Sequence, residues 1–379
     1  MRIGVPTEIK TDEYRVALTP AAVRELVDAE QQVYVQEGAG LGSAISDDAY
    51  ARQGATIVPD AAAVFSQADL IVKVKEPQPS EVEMLESRHV LFTYLHLAAD
   101  ADLTRSLVKT GATCIAYETV EDRNGRLPLL APMSEVAGRI ATQAGAFMLE
   151  KPLGGRGILL GGAPGVAAAN VIVIGGGVVG LYAAKVAIGM GARVSVFDRS
   201  IERLRELDVI FDGRADTLYA TTLAIEEKLP EADLIIGAVL VPGAKAPRVL
   251  TREQLSLIKP QAVLVDVSVD QGGCFETTRP TTHSEPTYQV AGITHYCVAN
   301  MPGAVPITST GALTNATMPF VLKLATAGVY KALGDAPGFL KGLNLAAGAA
   351  TYRPVAEAHG IAYTPAGDAL SSAEAVALA

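Results

Sequence analysis

The sequence has no tryptophan, 5% aromatic residues, three cysteines and fewer basic than acidic side chains, 31 against 41. Each shortage excludes something. Few aromatics leave little on which unpaired bases could stack. A net charge of −10, spread without long acidic blocks, lacks the basic face that nucleic acid or an anionic membrane requires. Cys114, Cys274 and Cys297 form no CxxC pair, and an odd number cannot all be bridged. They read as inert thiols in a reducing compartment. No metal-ligand spacing of His, Cys, Asp or Glu is visible, so no metal is expected. The opening MRIGVPTEIK has no apolar h-region and predicts no secretory signal. Long uncharged runs are also scarce. The one at 157–184 could nominally span a bilayer, but it holds Pro164, Asn170 and eight glycines. It reads as a loop, a buried strand and a glycine turn.

What is present suits two globular domains: 379 residues, 49% of them apolar. The first 130 residues alternate strands (2–6, 32–36, 69–75, 89–95, 113–117) with helices (47–53, 60–67, 80–87, 100–110). Another helix starts at Thr19 and Pro20, a capping residue followed by proline at the first helical position. A long helix at 134–150 leads into a second alternating run. Its strands are 170–174, 193–197, 233–239, 262–267 and 296–298, and its helices are 178–190, 200–207, 224–229 and 251–258. The last seventy residues look mainly helical, with a helix at 311–333 kinked or interrupted at Pro319 and no third sheet. The pattern predicts an α/β protein with two doubly wound, Rossmann-like domains. The domain at 131–305 is inserted into a discontinuous one formed by 1–130 and 306–379, because the tail has too few strands to stand alone.

The best local signal is VIVIGGGVVG, where Gly175, Gly177 and Gly180 satisfy G-x-G-x-x-G between a Val/Ile strand and a helix. Gly175 permits the tight turn, Gly177 lets the backbone approach a pyrophosphate, and Gly180 lets helix and strand pack closely. The helix N-terminus then offers unpaired N–H groups to the diphosphate. The next strand ends in Asp198, 18 residues after Gly180. An acid there accepts ribose hydroxyls and repels a 2′-phosphate, favouring NAD over NADP, although the adjacent Arg199 could receive such a phosphate.

Ligands of doubly wound sheets sit beyond the carboxyl ends of strands. Lys75 closes DLIVKVK, His96 follows HVLFTYL, Asp270 follows AVLVDVSV, and Arg15 lies in the loop after the first strand. Singly, each has an ordinary explanation: a solvated lysine, a core histidine, a turn-capping aspartate and a surface ion pair. Together, two cations for a carboxylate, an imidazole and an acid beside NAD make a coherent dehydrogenase site, able to meet across an interdomain cleft.

The segments MRIGVPTEIKTDEYRVALTP, VKVKEP, TYLHLA, IGGGVVG and VDVSVDQGG resemble the alanine dehydrogenases, which group with the NAD-binding part of proton-translocating transhydrogenases. The likeness runs along essentially the whole chain. It implies reversible NAD-dependent deamination of L-alanine to pyruvate and ammonium, in a cytoplasmic homohexamer with small-molecule substrates and no nucleic-acid or membrane partner. The alternative it leaves open is a transhydrogenase NAD-binding subunit. By the same resemblance Arg15 and Lys75 bind the substrate carboxylate, and His96 and Asp270 are the catalytic pair. Further NAD contacts implied are Ser134, Val178, Val179, Asp198, Arg203, Val239, Leu240, Val267, Ser268, Val269, Asp270, Arg279, Val298, Ala299, Asn300 and Met301. One position departs: Ala220 stands where the family commonly has a serine facing the adenosine, a loss of about 1 kcal/mol at most.

Overall fold

The structure, a computed structural model, describes residues 1–239 and 246–377. The chain packs as two units, Met1–Met133 with Val305–Ala379, and Ser134–Ala304. The first unit opens with strands β1 (Arg2–Val5), β2 (Gln32–Gln36), β3 (Thr56–Val58), β4 (Leu70–Val72), β5 (Val90–Thr93) and β6 (Thr113–Ala116). The second contains β7 (Asn170–Ile174), β8 (Arg193–Asp198), β9 (Ala215–Tyr219), β10 (Leu234–Gly237), β11 (Val263–Asp266), β12 (Thr287–Val290) and β13 (Ile293–Tyr296). The chain then returns to the first unit with β14 (Leu343–Ala346) and β15 (Ala349–Ala350).

The two sheets share one logic. The first runs β15-β14-β6-β5-β4-β1-β2-β3 and the second β12-β13-β11-β10-β7-β8-β9. β1 to β6 pair in parallel, as do β7 to β11 and β13, while β12, β14 and β15 are antiparallel additions at sheet edges. Strand order reverses between β1 and β4 in one sheet and between β7 and β10 in the other. These are the switch points at which doubly wound folds bind ligands.

Central strands such as LIV (β4), VLFT (β5), TCIA (β6), LIIG (β10) and VLVD (β11) are buried along their whole length. That is why they read as continuous apolar runs rather than alternating ones: helices cover both faces. Each unit has its own core. Ile71, Leu91, Leu107 and Cys114 belong to the first, and Ile172, Ile235, Leu264 and Phe275 to the second.

Two expectations need correction, the helix end and one strand, while the tail, as expected, forms no third sheet. The C-terminal helix is not interrupted at Pro319: it runs from Pro306 to Ala327 and breaks at Gly328, whose φ of 80° ends it before a short helix Val329–Gly334. Proline removes one backbone donor, and the buried Leu313, Val321 and Leu324 hold the helix together around it. The tail also supplies β14 and β15, which extend the first sheet rather than forming a third. The strand expected at 296–298 lies at Ile293–Tyr296. Among the described residues no helix is long and apolar enough to cross a membrane.

Candidate active site

In the first unit, Arg15, Lys75 and His96 follow β1, β4 and β5, three adjacent strands, so all three emerge at one edge of one sheet. The chains leaving β4 and β5 stay paired beyond the strands. Lys73 donates its N–H to Phe92 O (3.1 Å), Tyr94 its N–H to Val74 O (3.2 Å), and the Thr93 hydroxyl bonds Lys75 O (2.9 Å). The loop carrying Arg15 is fastened from the C-terminal helix: Val16 N–H donates to Thr310 Oγ1 and the Thr314 hydroxyl donates to Ala17 O, both at 3.1 Å.

Arg15 does have an ion-pair partner, but the pair is buried rather than on the surface. Its Nε and Nη2 hold the two oxygens of Glu13 at 2.6 and 2.5 Å, and Nη1 reaches Met133 Sδ at 3.0 Å. Burial alone would push the guanidinium pKa down. The Glu13 hydrogen bonds and charge outweigh it, so the pKa is raised and the cation is secure. Lys75 is also buried rather than solvated, 9% exposed.

His96 is exposed and is not a core residue. Its backbone sits in the left-handed region at φ 50°, a conformation that a non-glycine residue adopts only when its surroundings hold it there. The holder is Glu118, whose carboxylate accepts the N–H of His96 at 2.6 Å and of Leu95 at 3.2 Å. The imidazole stacks on the Tyr94 ring, 5.9 Å between centroids with planes 7° apart. By contrast, His89 and His295 are buried and satisfied. His89 bonds Glu86 N–H and Phe65 O, His295 bonds Thr277 Oγ1 and Ile293 O, and burial lowers the pKa of both.

In the second unit the glycines fit a diphosphate cradle. Gly175 has φ 106°, and a Cβ there would lie 2.5 Å from Ala238 O. A Cβ on Gly180 would lie 1.8 Å from Gly175 O, whereas one on Gly177 would meet nothing within 4 Å. Gly177 is the N-cap of the helix Val178–Gly189, and among the described residues no side chain caps that end. Its first N–H groups and the positive end of its dipole are therefore available to an anion. Asp198 closes β8 and accepts the N–H of Gly176 (2.7 Å) and of Ser200 (2.8 Å). Arg203 Nε donates to Gly176 O at 2.6 Å, so the middle residue of the loop is held at both its N–H and its carbonyl. Ser134 is half-buried on the helix Ala131–Met148, one turn before Gly138, where a Cβ would come within 2.2 Å of Val179 O.

The remaining residues lie past the carboxyl ends of β10, β11 and β13. Ser268 Oγ donates to Val239 O at 2.6 Å, joining two of these loops. Val267 is half-buried, Val269 buried, and Asp270 exposed on a short turn, where its carboxylate accepts the Asn300 N–H at 3.5 Å. Val298 and Met301 are buried and Ala299 and Asn300 half-buried. Arg279 is exposed with its guanidinium over the Tyr288 ring, 4.1 Å from the centroid. Leu240 lies outside the described residues.

Several residues at these loops escaped the sequence reading: Glu8, Glu13, Lys73, Glu81, Glu118 and Asp266. Asp266 is buried and accepts from Ser268 N, Cys274 N and Thr278 Oγ1, which shapes the loop that bears Asp270. The signal for Lys73 and Asp266 was available, since each is a charge within an apolar strand run, between Val72 and Val74 and between Val265 and Val267.

Comparison with known proteins matches both units. The model of the alanine dehydrogenase/PNT N-terminal domain covers residues 4–137 and that of the C-terminal domain residues 141–353. An alanine dehydrogenase of Halomonas elongata is 59% identical over 97% of this chain and 99% of that protein. A solved L-alanine dehydrogenase superposes with a TM-score of 0.92 at 49% identity, covering 95% of this chain and 99% of that one. A transhydrogenase from Sinorhizobium meliloti superposes with a TM-score of 0.80 at 25% identity, covering 93% and 99%.

Proposed function

Because the chain belongs to the alanine dehydrogenase/PNT family, we propose that it catalyses the reversible NAD-dependent oxidative deamination of L-alanine to pyruvate and ammonium. One observation carries the reading: a single chain combines an uncapped glycine cradle at one switch point with buried Arg15 and Lys75 at the other. Greater likeness to L-alanine dehydrogenase than to transhydrogenase supports it over the coupling-subunit alternative.

Arg15 and Lys75 bind the substrate carboxylate. Glu13 keeps the Arg15 fork rigid, so little side-chain freedom is lost on binding. The loop Gly175–Gly180, with Asp198 and Arg203 behind it, would hold NAD, which when bound accepts the hydride from Cα. The substrate ammonium first gives up one proton to solvent, so that loss of the hydride leaves an iminium carbon that water attacks. The resulting carbinolamine collapses to the ketone as its hydroxyl proton leaves with the ammonia as ammonium. His96 takes the proton from this water and returns it to the departing nitrogen, a role suited to an exposed imidazole, whose ring nitrogens can both accept and donate a proton. To Asp270 we assign stabilisation of the developing cation and orientation of the water. A carboxylate 18 residues past Gly180 that already accepts two N–H groups favours NAD over NADP, because a 2′-phosphate would meet its charge. From the family resemblance we place the enzyme in the cytoplasm as a homohexamer. Light scattering on the purified protein tests the subunit number.

The experiment is absorbance at the NADH band with purified protein, NAD and a panel of L- and D-amino acids. L-Alanine gives a rising signal and D-alanine none. NAD binding without turnover of any amino acid overturns the reading.

A further inference from the structure

Among the described residues of the first unit, the buried Asp, Glu, Lys and Arg side chains are Glu8, Glu13, Arg15, Lys73, Lys75 and Glu81. All six lie in two segments, 8–15 after β1 and 73–81 after β4, on either side of the strand-order reversal. Three are acids and three are bases. Charges removed from water in such number are a poor way to stabilise a core, since apolar replacements of the same volume often do better. Their confinement to the switch point indicates a functional cluster.

Glu8 is its hinge. One carboxylate oxygen accepts the Val74 N–H at 2.6 Å; the other accepts the Lys73 ammonium at 3.1 Å and the Lys75 N–H at 3.3 Å. The Lys73 ammonium also donates to Glu81 at 2.7 Å, and the second oxygen of Glu81 caps Gln78 N–H at 2.8 Å. The chain that goes on to bear Arg15 is therefore bonded to the two consecutive peptide units that lead into Lys75.

We propose that Glu8 is a positioning residue: its carboxylate orients the Lys75 backbone, with Lys73 and Glu81 fixing the carboxylate, so that Arg15 and Lys75 hold one spacing for a substrate carboxylate. This rests on the reading of Lys75 as a substrate ligand. Glu8→Ala frees the peptide units of residues 74 and 75 while leaving the glycine loop of the second unit untouched.

The test is steady-state reductive amination of pyruvate by the full-length Glu8→Ala, Glu8→Gln and Lys75→Met variants, with NADH dissociation constants and Tm measured on the same samples. Glu8→Ala raises the pyruvate KM about tenfold or more, the scale set by a small misplacement of a binding group. Its kcat and NADH affinity stay within about threefold of wild type. Glu8→Gln, which keeps the shape and one acceptor oxygen, rescues most of the KM and stands alone if the alanine variant does not fold, with a KM then raised about threefold. An unchanged pyruvate KM in the folded Glu8 variants, with Lys75→Met raising it, overturns the proposal alone. So does a Tm loss in which NADH affinity falls as far as pyruvate affinity. An unchanged KM in Lys75→Met overturns the role of Lys75 and the proposal together.

Discussion

Gly177 and Gly180 belong to the same motif but have opposite surroundings, so their alanine variants behave differently. At Gly180 the new methyl would stand 1.8 Å from Gly175 O, against an ordinary contact beyond 3.4 Å. The helix Val178–Gly189 has to move away from β7, a strain of about 1–3 kcal/mol on the scale of overpacked cores. The displaced helix N-terminus no longer meets a diphosphate held by the loop. With tenfold per 1.4 kcal/mol, the NADH dissociation constant rises about ten- to a hundredfold, and Tm falls. At Gly177 the methyl meets no protein atom within 4 Å. Stability changes by no more than the loss of a good N-cap residue, about 0.5–1 kcal/mol, yet the methyl enters the space through which a pyrophosphate approaches the backbone. Fluorescence titration with NADH and thermal unfolding on both variants separate the two effects. Gly177→Ala binding NADH as tightly as wild type refutes the cradle, and Gly180→Ala with unchanged Tm refutes the packing reason for that glycine.

His96→Ala and Asp270→Ala each lower kcat for L-alanine by about a hundredfold or more, while NADH titration gives a near-normal dissociation constant; wild-type turnover in either contradicts its role. Glu13→Ala takes the bidentate carboxylate from a buried guanidinium and destabilises by about 3–5 kcal/mol, read as a large drop in Tm, whereas Asp28→Ala, breaking the exposed Arg24 pair, leaves Tm unchanged. Burial raises the pKa of Asp266 despite its hydrogen bonds. A raised folded-state pKa gives stability that is present below the unfolded value and lost as pH rises through the folded one. The Tm of wild type minus that of Asp266→Asn therefore declines as pH rises above the ordinary carboxylate range; a difference that grows with pH contradicts the sign.

Where burial is two-sided, the fold was readable. NVIVI, LIIG and VLVD can only be central strands of a covered parallel sheet, and Thr19 with Pro20 marks a helix start that the capped helix Pro20–Asp28 occupies. The missed strands are short ones at or near sheet edges: TIV, ADTLY, TYQV, LNLA and a two-residue bridge. Their composition is mixed, and neighbouring strands select them more than their own propensity does. LNLA is the clearest case, since a leucine/alanine segment becomes a strand only because β6 offers an open edge. Gly328, not Pro319, ends the long helix because packing tolerates one missing donor more readily than a break in the buried face.

The candidate residues were legible as polar positions after apolar strands, which locates Arg15, Lys75, His96 and Asp270. Their supports were not. Glu118 reaches His96 from the turn after the neighbouring strand, 22 residues away in sequence, and Glu8 reaches Lys75 across 67. Neither link has a local sequence signature, because strand order alone brings the partners together.

The central claim is that the hydride comes from Cα of L-alanine. L-Alanine deuterated at Cα, incubated with the purified protein and NAD, gives NADH whose C4 position carries one deuterium by NMR. NADH free of deuterium, formed from that substrate, contradicts the account.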